Sequence, residues 1–322
     1  MKLTQYIPLW IKTPLMVLLK EVGKWPLSLV WAHTQRSFAE HIGYEYDKKE
    51  KAWTAVQAVT LDYLNKRYGH LAQITDLKLG VPVENAPVWV FWWQGEENAP
   101  VLVQRCIASI RKYAGNHPVR VIDQENYREF VTIPAHIEVK REQGIISLTH
   151  FSDILRMALL AEYGGLWLDS TIYATDSLES AFRGGLFTVR NPGLEHANVS
   201  RWDWSGFAIG GPKGCDLFRL AGDIFSAYWQ THNQLVDYFL IDYTLRLIVD
   251  SNAIFQEALS AIEPNNKGIY HYQMHFNDPA DLLPPEDTWL FKLSWKGNYN
   301  TATEDGKETL YGRWLRETEE ML

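Results

Sequence analysis

Residues 152–173, SDILRMALLAEYGGLWLDSTIY, constrain the fold more than any other stretch of the chain. The first part carries the apolar spacing of an amphipathic helix, the Gly164-Gly165 pair stops it, and LWLD reads as a short buried strand ending on a carboxylate. Asp153 and Arg156 lie three residues apart and share one face of that helix. Asp169 follows where the strand runs out. In an open α/β sheet, ligands bind beyond the carboxyl ends of the strands, so the block predicts a charged site at that edge. Taken alone, Asp153 and Arg156 would be an ordinary surface pair of little energetic weight, and Asp169 a cap or turn residue. The strand directly behind the helix is what moves them to the crevice.

The flanking sequence supports the same architecture. PVWVFWWQG (87–95) reads as a buried strand whose carboxyl edge is Trp92, Trp93 and Gln94, with Gly95 and Pro100 closing the turn. Adjacent tryptophans in a strand point to opposite faces, so at most one of Trp92 and Trp93 is a stacking platform and the other is core. A helix over 101–115 and a second strand in PVRVIDQENYREF (118–130) complete a βαβ alternation, which predicts an α/β fold with a mainly parallel sheet. Beyond Tyr173 come short strands and turns over 182–214, then helices near 215–231 and 237–250. No internal repeat is present.

The apolar N-terminal stretch, residues 3–32, is interrupted by Lys12, Lys20, Glu21 and Lys24 and punctuated by Pro8, Pro14 and Pro26. No window approaches the roughly 18 uncharged residues of a spanning helix. Two readings stay open: a segment lying in a membrane interface, or one packed on the protein's own core. Residues 34–70 read as helical, with Trp53, Val56, Val59, Leu61 and Leu64 at near-helical spacing and Gly69 as the stop. A Pro-rich linker over 80–87 predicts a division into a helical extension (1–80) and an α/β domain (81–322).

Composition narrows the function classes. A hydrophobic fraction of 46% and a charged fraction of 22% describe a folded chain. The net charge of −8, with dispersed Lys and Arg, leaves no footprint for nucleic acid. Fourteen tryptophans favour a ligand with flat or sugar-like faces. Cys106 and Cys215 make no disulfide framework, and no cleavable leader opens the sequence, so the expected compartment is the cytoplasm.

Asp169 suits a divalent cation and a diphosphate, and Thr171, two residues on, would face the same way in a strand as a weaker ligand. Asp203 and Asp242 are either acceptor-side groups or satisfied buried acids. Lys292, Ser294, Trp295 and Lys296 alternate cations with a hydroxyl and a ring, either closing over a diphosphate or forming a solvated edge strand. His271 and His275 lack the spacing of a zinc site. P-loop, nucleophile-elbow and dinucleotide signatures are absent from the sequence.

PVWVFWWQGEENAP, SDILRMALLAEYGGLWLDSTIY and KLSWK resemble the bacterial capsular polysaccharide synthesis proteins, relatives of glycosyltransferase family 32. The central block is also similar to the sugar-binding core of the large clostridial glucosylating toxins. The likeness covers roughly residues 85–300. It implies a GT-A-like fold and transfer of a hexose, with retention, from a nucleotide sugar, UDP-galactose or UDP-glucose by the family's habit. The acceptor it implies is a saccharide, such as a lipid-linked capsular or exopolysaccharide unit at the inner face of the cell membrane. By position, Trp92 matches the ring that stacks on the base, with Trp93 and Gln94 beside it. Asp153, Arg156 and Asp169 match the donor-sugar groups, and Asp169 the first acid of a metal-binding DxD. Here the motif reads Asp169-Ser170-Thr171, a hydroxyl standing for the second acid. The implied cofactor is Mn2+ or Mg2+ at Asp169 and Thr171, and Asp169 and Asp242 are the catalytic candidates. The missing acid also motivates an alternative, a nucleotide-sugar-binding protein without transferase activity.

Overall fold

The computed structural model describes residues 9–41, 46–192 and 198–321. Residues 3–8 of the apolar N-terminal run, and 193–197 of the turn-rich region, lie outside the described residues. Three helices come first: α1 (Leu9–Glu21), α2 (Leu27–His41) and α3 (Tyr46–Ala72). The α/β part follows as β1 (Val88–Phe91), α4 (Val101–Tyr113), β2 (Val119–Ile122), α5 (Tyr127–Phe130), α6 (Ala135–Glu142), α7 (Leu148–Tyr163), β3 (Gly165–Leu168) and β4 (Ile172–Ala174). The chain then forms β5 (Phe187–Thr188), β6 (Ala208–Gly211), α8 (Asp216–Thr231), α9 (Leu240–Ser251), α10 (Ala253–Ser260), α11 (His271–His275), β7 (Leu290–Lys292) and α12 (Leu310–Glu317).

The central sheet has the order β2-β1-β3-β6-β5. β1 pairs in parallel with β2 and β3, and the reversed β6 joins β3 to β5, so four of the five strands point one way. Alternation along the strands explains why they are buried on both faces. Val88 and Val90 of β1 and Leu166 and Leu168 of β3 enter a cluster with Val103, Ile107 and Ile110 of α4. Trp89 and Trp167, one residue out of phase, enter the larger cluster that α7, α8 and α9 cover. A separate pair, β4 and β7, runs antiparallel and brings residue 292 beside residue 172.

Two glycines fix the junction of α7 and β3. Gly164 (φ +67°) ends the helix, its N–H bonded to the Leu160 carbonyl. At Gly165 (φ +97°), a Cβ would lie 2.1 Å from the Pro87 carbonyl oxygen. Any side chain there would force β3 away from the chain entering β1.

The N-terminal helices are docked on the α/β part. Trp25, Leu29, Val30, Tyr63, Leu64 and Tyr68 belong to the same buried cluster as Tyr228, Trp229 and Leu240. Val56 and Leu64 face inward as expected, but Trp53 is exposed. Gly69 does not stop the helix: α3 runs on to Ala72, because Ala72 is itself buried in that cluster. Leu15, Met16, Leu19, Val22, Leu27 and Trp31 leave a second, outward apolar face on α1 and α2. Among the described residues, no helix is long and apolar enough to cross a membrane. Cys106 and Cys215 are free and buried.

Candidate active site

A cavity of about 490 Å3 opens beyond the carboxyl ends of β1 and β3. Its walls include Trp92, Trp93, Asp169, Thr171, Trp295 and Lys296. Regular strand geometry stops at Phe91, so Trp92 and Trp93 begin the loop rather than end the strand. Trp92 meets Trp295 edge-on, ring centroids 5.9 Å apart, while Trp93 leans on Tyr127 and Phe151 of the core. Each ring packs on a different core cluster, Trp92 on the side of α4 and Trp93 on the side of α7, and both reach the cavity. Gln94 is an exposed part of the wall. The indole N–H of Trp92 is buried with no hydrogen-bond partner among the described residues.

Beside the cavity runs a continuous polar chain. Trp229 Nε1 donates to His150 Nε2 at 2.9 Å, which leaves the imidazole proton on Nδ1, 3.3 Å from Asp153 Oδ2. Arg156 spans the two carboxylates, 3.2 Å from Asp153 Oδ1 and 3.0 Å from Asp169 Oδ1, and lies over the Trp167 ring at 4.8 Å. Both Arg156 (4% exposed) and Asp153 (7%) are buried, so this is no surface pair. An added Cβ at Gly206 would stand 3.0 Å from Arg156 Nη1, so the guanidinium lies close against the chain at Gly206.

Asp169 is gathered from three sides. Oδ1 accepts from Arg156 and from Trp167 Nε1 (3.0 Å), and Oδ2 accepts from Lys292 Nζ (2.7 Å). Burial by itself would raise its pKa, but the Lys292 and Arg156 charges and these hydrogen bonds outweigh it and hold the carboxyl below its ordinary value. Residues 169–171 form a turn between β3 and β4 rather than a strand extension. Strand alternation is thus not what aligns Thr171 with Asp169. The same ammonium does so: Lys292 Nζ donates to Thr171 Oγ1 at 2.7 Å.

This donor set does not fit a divalent ion. One carboxylate and one hydroxyl converge, and both are already bonded to a cation. A divalent ion on Asp169 would stand about 4 Å from the ammonium, where the repulsion between its double charge and the single charge of the lysine is about 8 kcal/mol at an effective dielectric of about 20. No group of three or more His, Cys, Asp or Glu among the described residues could hold a metal.

Asp242 does not line this cavity. It lines a second one, of about 380 Å3, between α2, α3 and the start of α9, together with Trp53, Gln57, Tyr238 and the Arg36–Asp237 pair. Its Oδ1 accepts from Trp204 Nε1 at 2.8 Å. Burial pushes its pKa up to about 6; the Trp204 bond works against this, and Asp153 adds to it. Tyr238 is largely exposed, and its hydroxyl pKa is raised by burial first and then by the Asp153 and Asp169 charges.

Of the remaining candidates, Ser294 bonds to Tyr299 and the Lys296 N–H and is not in the cavity wall. Asp203 pairs with Arg246 (3.1 Å) and Arg190 (3.7 Å), the satisfied-acid alternative. His275 bonds Asp278 at 2.6 Å. His150, Trp204 and Tyr238 were not singled out by sequence, because none has a motif; His150 alone had a signal, its position three residues before Asp153.

The description "capsular polysaccharide synthesis protein" matches residues 42–314. The chain belongs to that family. Curated proteins similar to this chain include an "O-glycosyltransferase PaGT" of Phomopsis amygdali, 28% identical over 162 residues (44% of this chain, 38% of that protein). Another is "Glycosyltransferase afumC" of Aspergillus fumigatus, 30% identical over 119 residues (33% of this chain, 30% of that protein). The family member described here thus matches well under half the length of either. A solved structure, "PaToxG Glycosyltransferase", aligns at TM-score 0.38 and 15% identity over 64% of this chain and 82% of its own.

Proposed function

We propose that this capsular polysaccharide synthesis family member is a retaining glycosyltransferase that moves a hexose from a UDP sugar, glucose or galactose, to a lipid-linked saccharide. The observation that carries the reading is the Asp153–Arg156–Asp169–Lys292 chain beside an aromatic cavity at the sheet's carboxyl edge. The names of the curated relatives support the reaction class.

In this reading the base lies against the edge-on pair Trp92 and Trp295, and the diphosphate lies toward Lys292 and Lys296. Asp153 and Arg156 orient the sugar. The acceptor arrives through the second cavity, whose Trp53 and Tyr238 rings suit a sugar face. Its hydroxyl oxygen bonds to the anomeric carbon on the face the leaving group vacates. The bond to the diphosphate breaks with its electron pair passing to the phosphate oxygen, and the hydroxyl proton passes to Asp242. A carboxylate whose pKa is about 6 is a suitable base near neutral pH. The outward apolar face of α1 and α2, with Lys12, Lys20 and Lys24 exposed beside it, supports contact with an anionic bilayer where a lipid-linked acceptor resides.

The test is calorimetry with UDP-glucose and UDP-galactose, followed by product analysis with saccharide acceptors. One donor should bind and yield a glycosylated product with retained configuration, and Asp153→Asn should lose transfer. Binding without product or hydrolysis under any acceptor would replace transfer with a binding function. Co-sedimentation with anionic vesicles should fall in Trp31→Asp, and unchanged sedimentation would remove the membrane contact.

A further inference from the structure

We infer that Lys292 is the resident cation of this site, so that diphosphate binding and departure need no divalent metal. The inference rests on the donor reading above but concerns a separate property. Its basis is a juxtaposition across 121 residues of chain: β7 pairs with β4 so that Lys292 Nζ meets both Asp169 Oδ2 and Thr171 Oγ1 at 2.7 Å.

Those are the two positions that would have to supply metal ligands, and the ammonium is bonded to both. An ammonium has three N–H donors. Among the described residues, two are taken, and the side chain keeps 21% of its surface exposed. In this scheme the third donor goes to a phosphate oxygen that enters from the cavity whose wall Asp169 and Thr171 form. Thr171, accepting from Lys292, keeps its own hydroxyl proton to donate. Together they offer two donors to one anion, without any further ion.

The charge count agrees. Asp153 and Asp169 balance Arg156 and Lys292, so the cluster is neutral before ligand arrives. When the sugar–phosphate bond breaks, the added negative charge develops against a cation that is already fixed in place by Asp169. Asp169 in this scheme is a positioning residue: it holds the lysine rather than a metal. A serine or alanine at 169 would free the ammonium to wander, whereas in a metal enzyme it would remove the ion. The hydroxyl at 171 then has a reason: a second carboxylate there would add a negative charge beside the departing diphosphate with no divalent ion to offset it.

The experiment uses the full chain stripped of metal, with Mn2+ and UDP as probes. Mn2+ binding is read by electron paramagnetic resonance with and without UDP, and UDP affinity by calorimetry in EDTA and in Mn2+. Wild type should bind no stoichiometric Mn2+, and its UDP affinity should change less than about twofold between the two buffers. Lys292→Met should weaken UDP by about tenfold or more, the loss of one charge-assisted hydrogen bond. Lys292→Arg, which keeps the charge, should retain EDTA-insensitive binding and controls for folding. Stoichiometric Mn2+ in wild type, or UDP binding abolished by EDTA, overturns the inference. If UDP fails to bind in either buffer, the donor reading falls, while Mn2+ alone still decides the cation: wild type silent and Lys292→Met binding Mn2+ supports it, and wild type binding Mn2+ overturns it.

Discussion

Asp169 and Asp242 are carboxylates in neighbouring cavities, and their surroundings push their ionisation in opposite directions. Asp169 has three donors, two of them cations, and is held below its ordinary pKa. Asp242 has one neutral indole donor and a like charge nearby, and burial carries it up to about 6. Paired carboxylates whose environments separate their pKa values divide the work of a reaction between them. On the proposed function, Asp169 stays charged and fixes the cations while Asp242, with its pKa near 6, takes the proton.

The largest effect should come from breaking the charged chain. Arg156→Ala leaves Asp153 and Asp169 facing each other without their shared partner, at a cost of about 3–5 kcal/mol for an uncompensated buried charge. Urea unfolding measures it. A loss below about 1 kcal/mol would mean that water reaches and screens the pair.

Asp242→Asn should act in the opposite sense on stability. Because its folded pKa is raised, the stability that Asp242 contributes is complete below its unfolded pKa and is lost as pH rises through about 6. Removing the charge should therefore raise Tm at pH 8, and the gain should vanish by about pH 4. Equal Tm at both pH values would show the carboxylate to be well solvated. Asp169 runs the other way: its contribution is present above its unfolded pKa and is lost as pH falls below it.

A smaller effect sharpens the contrast between the cavities. Trp53→Ala and Tyr238→Ala should raise the acceptor KM about threefold to tenfold, the worth of one aromatic contact. The donor KM should stay unchanged. A shift in donor KM instead would place the acceptor elsewhere.

How much of this was legible in sequence depended on chain distance. The βαβ pattern, the Gly164-Gly165 stop and Asp169 at a strand end all lie within local spans, and local periodicity and turn chemistry specify them. Lys292 was legible as a cation near a diphosphate, but its bond to Asp169 depends on β7 pairing with β4 across more than a hundred residues. The turn at 169–171 was read as strand because Asp, Ser and Thr fit either, and the hydrogen bond from the Ile172 N–H to the Asp169 carbonyl decided it. Asp203 and Asp242 looked alike in sequence, and only the walls that α2 and α3 build around Asp242 separate it from the salt-bridged Asp203. Gly69 misled because a glycine near a helix end signals a stop only where the residues after it have no core to join.

The most direct test of two carboxylates with divided roles is the pH dependence of hexose transfer between pH 5 and 9 in wild type, Asp169→Asn and Asp242→Asn. Wild type should rise through an inflection near pH 6, the pKa of Asp242. Asp242→Asn should be slow with that inflection gone, and Asp169→Asn should be slow while keeping it. An inflection that survives in Asp242→Asn and disappears in Asp169→Asn would contradict the account.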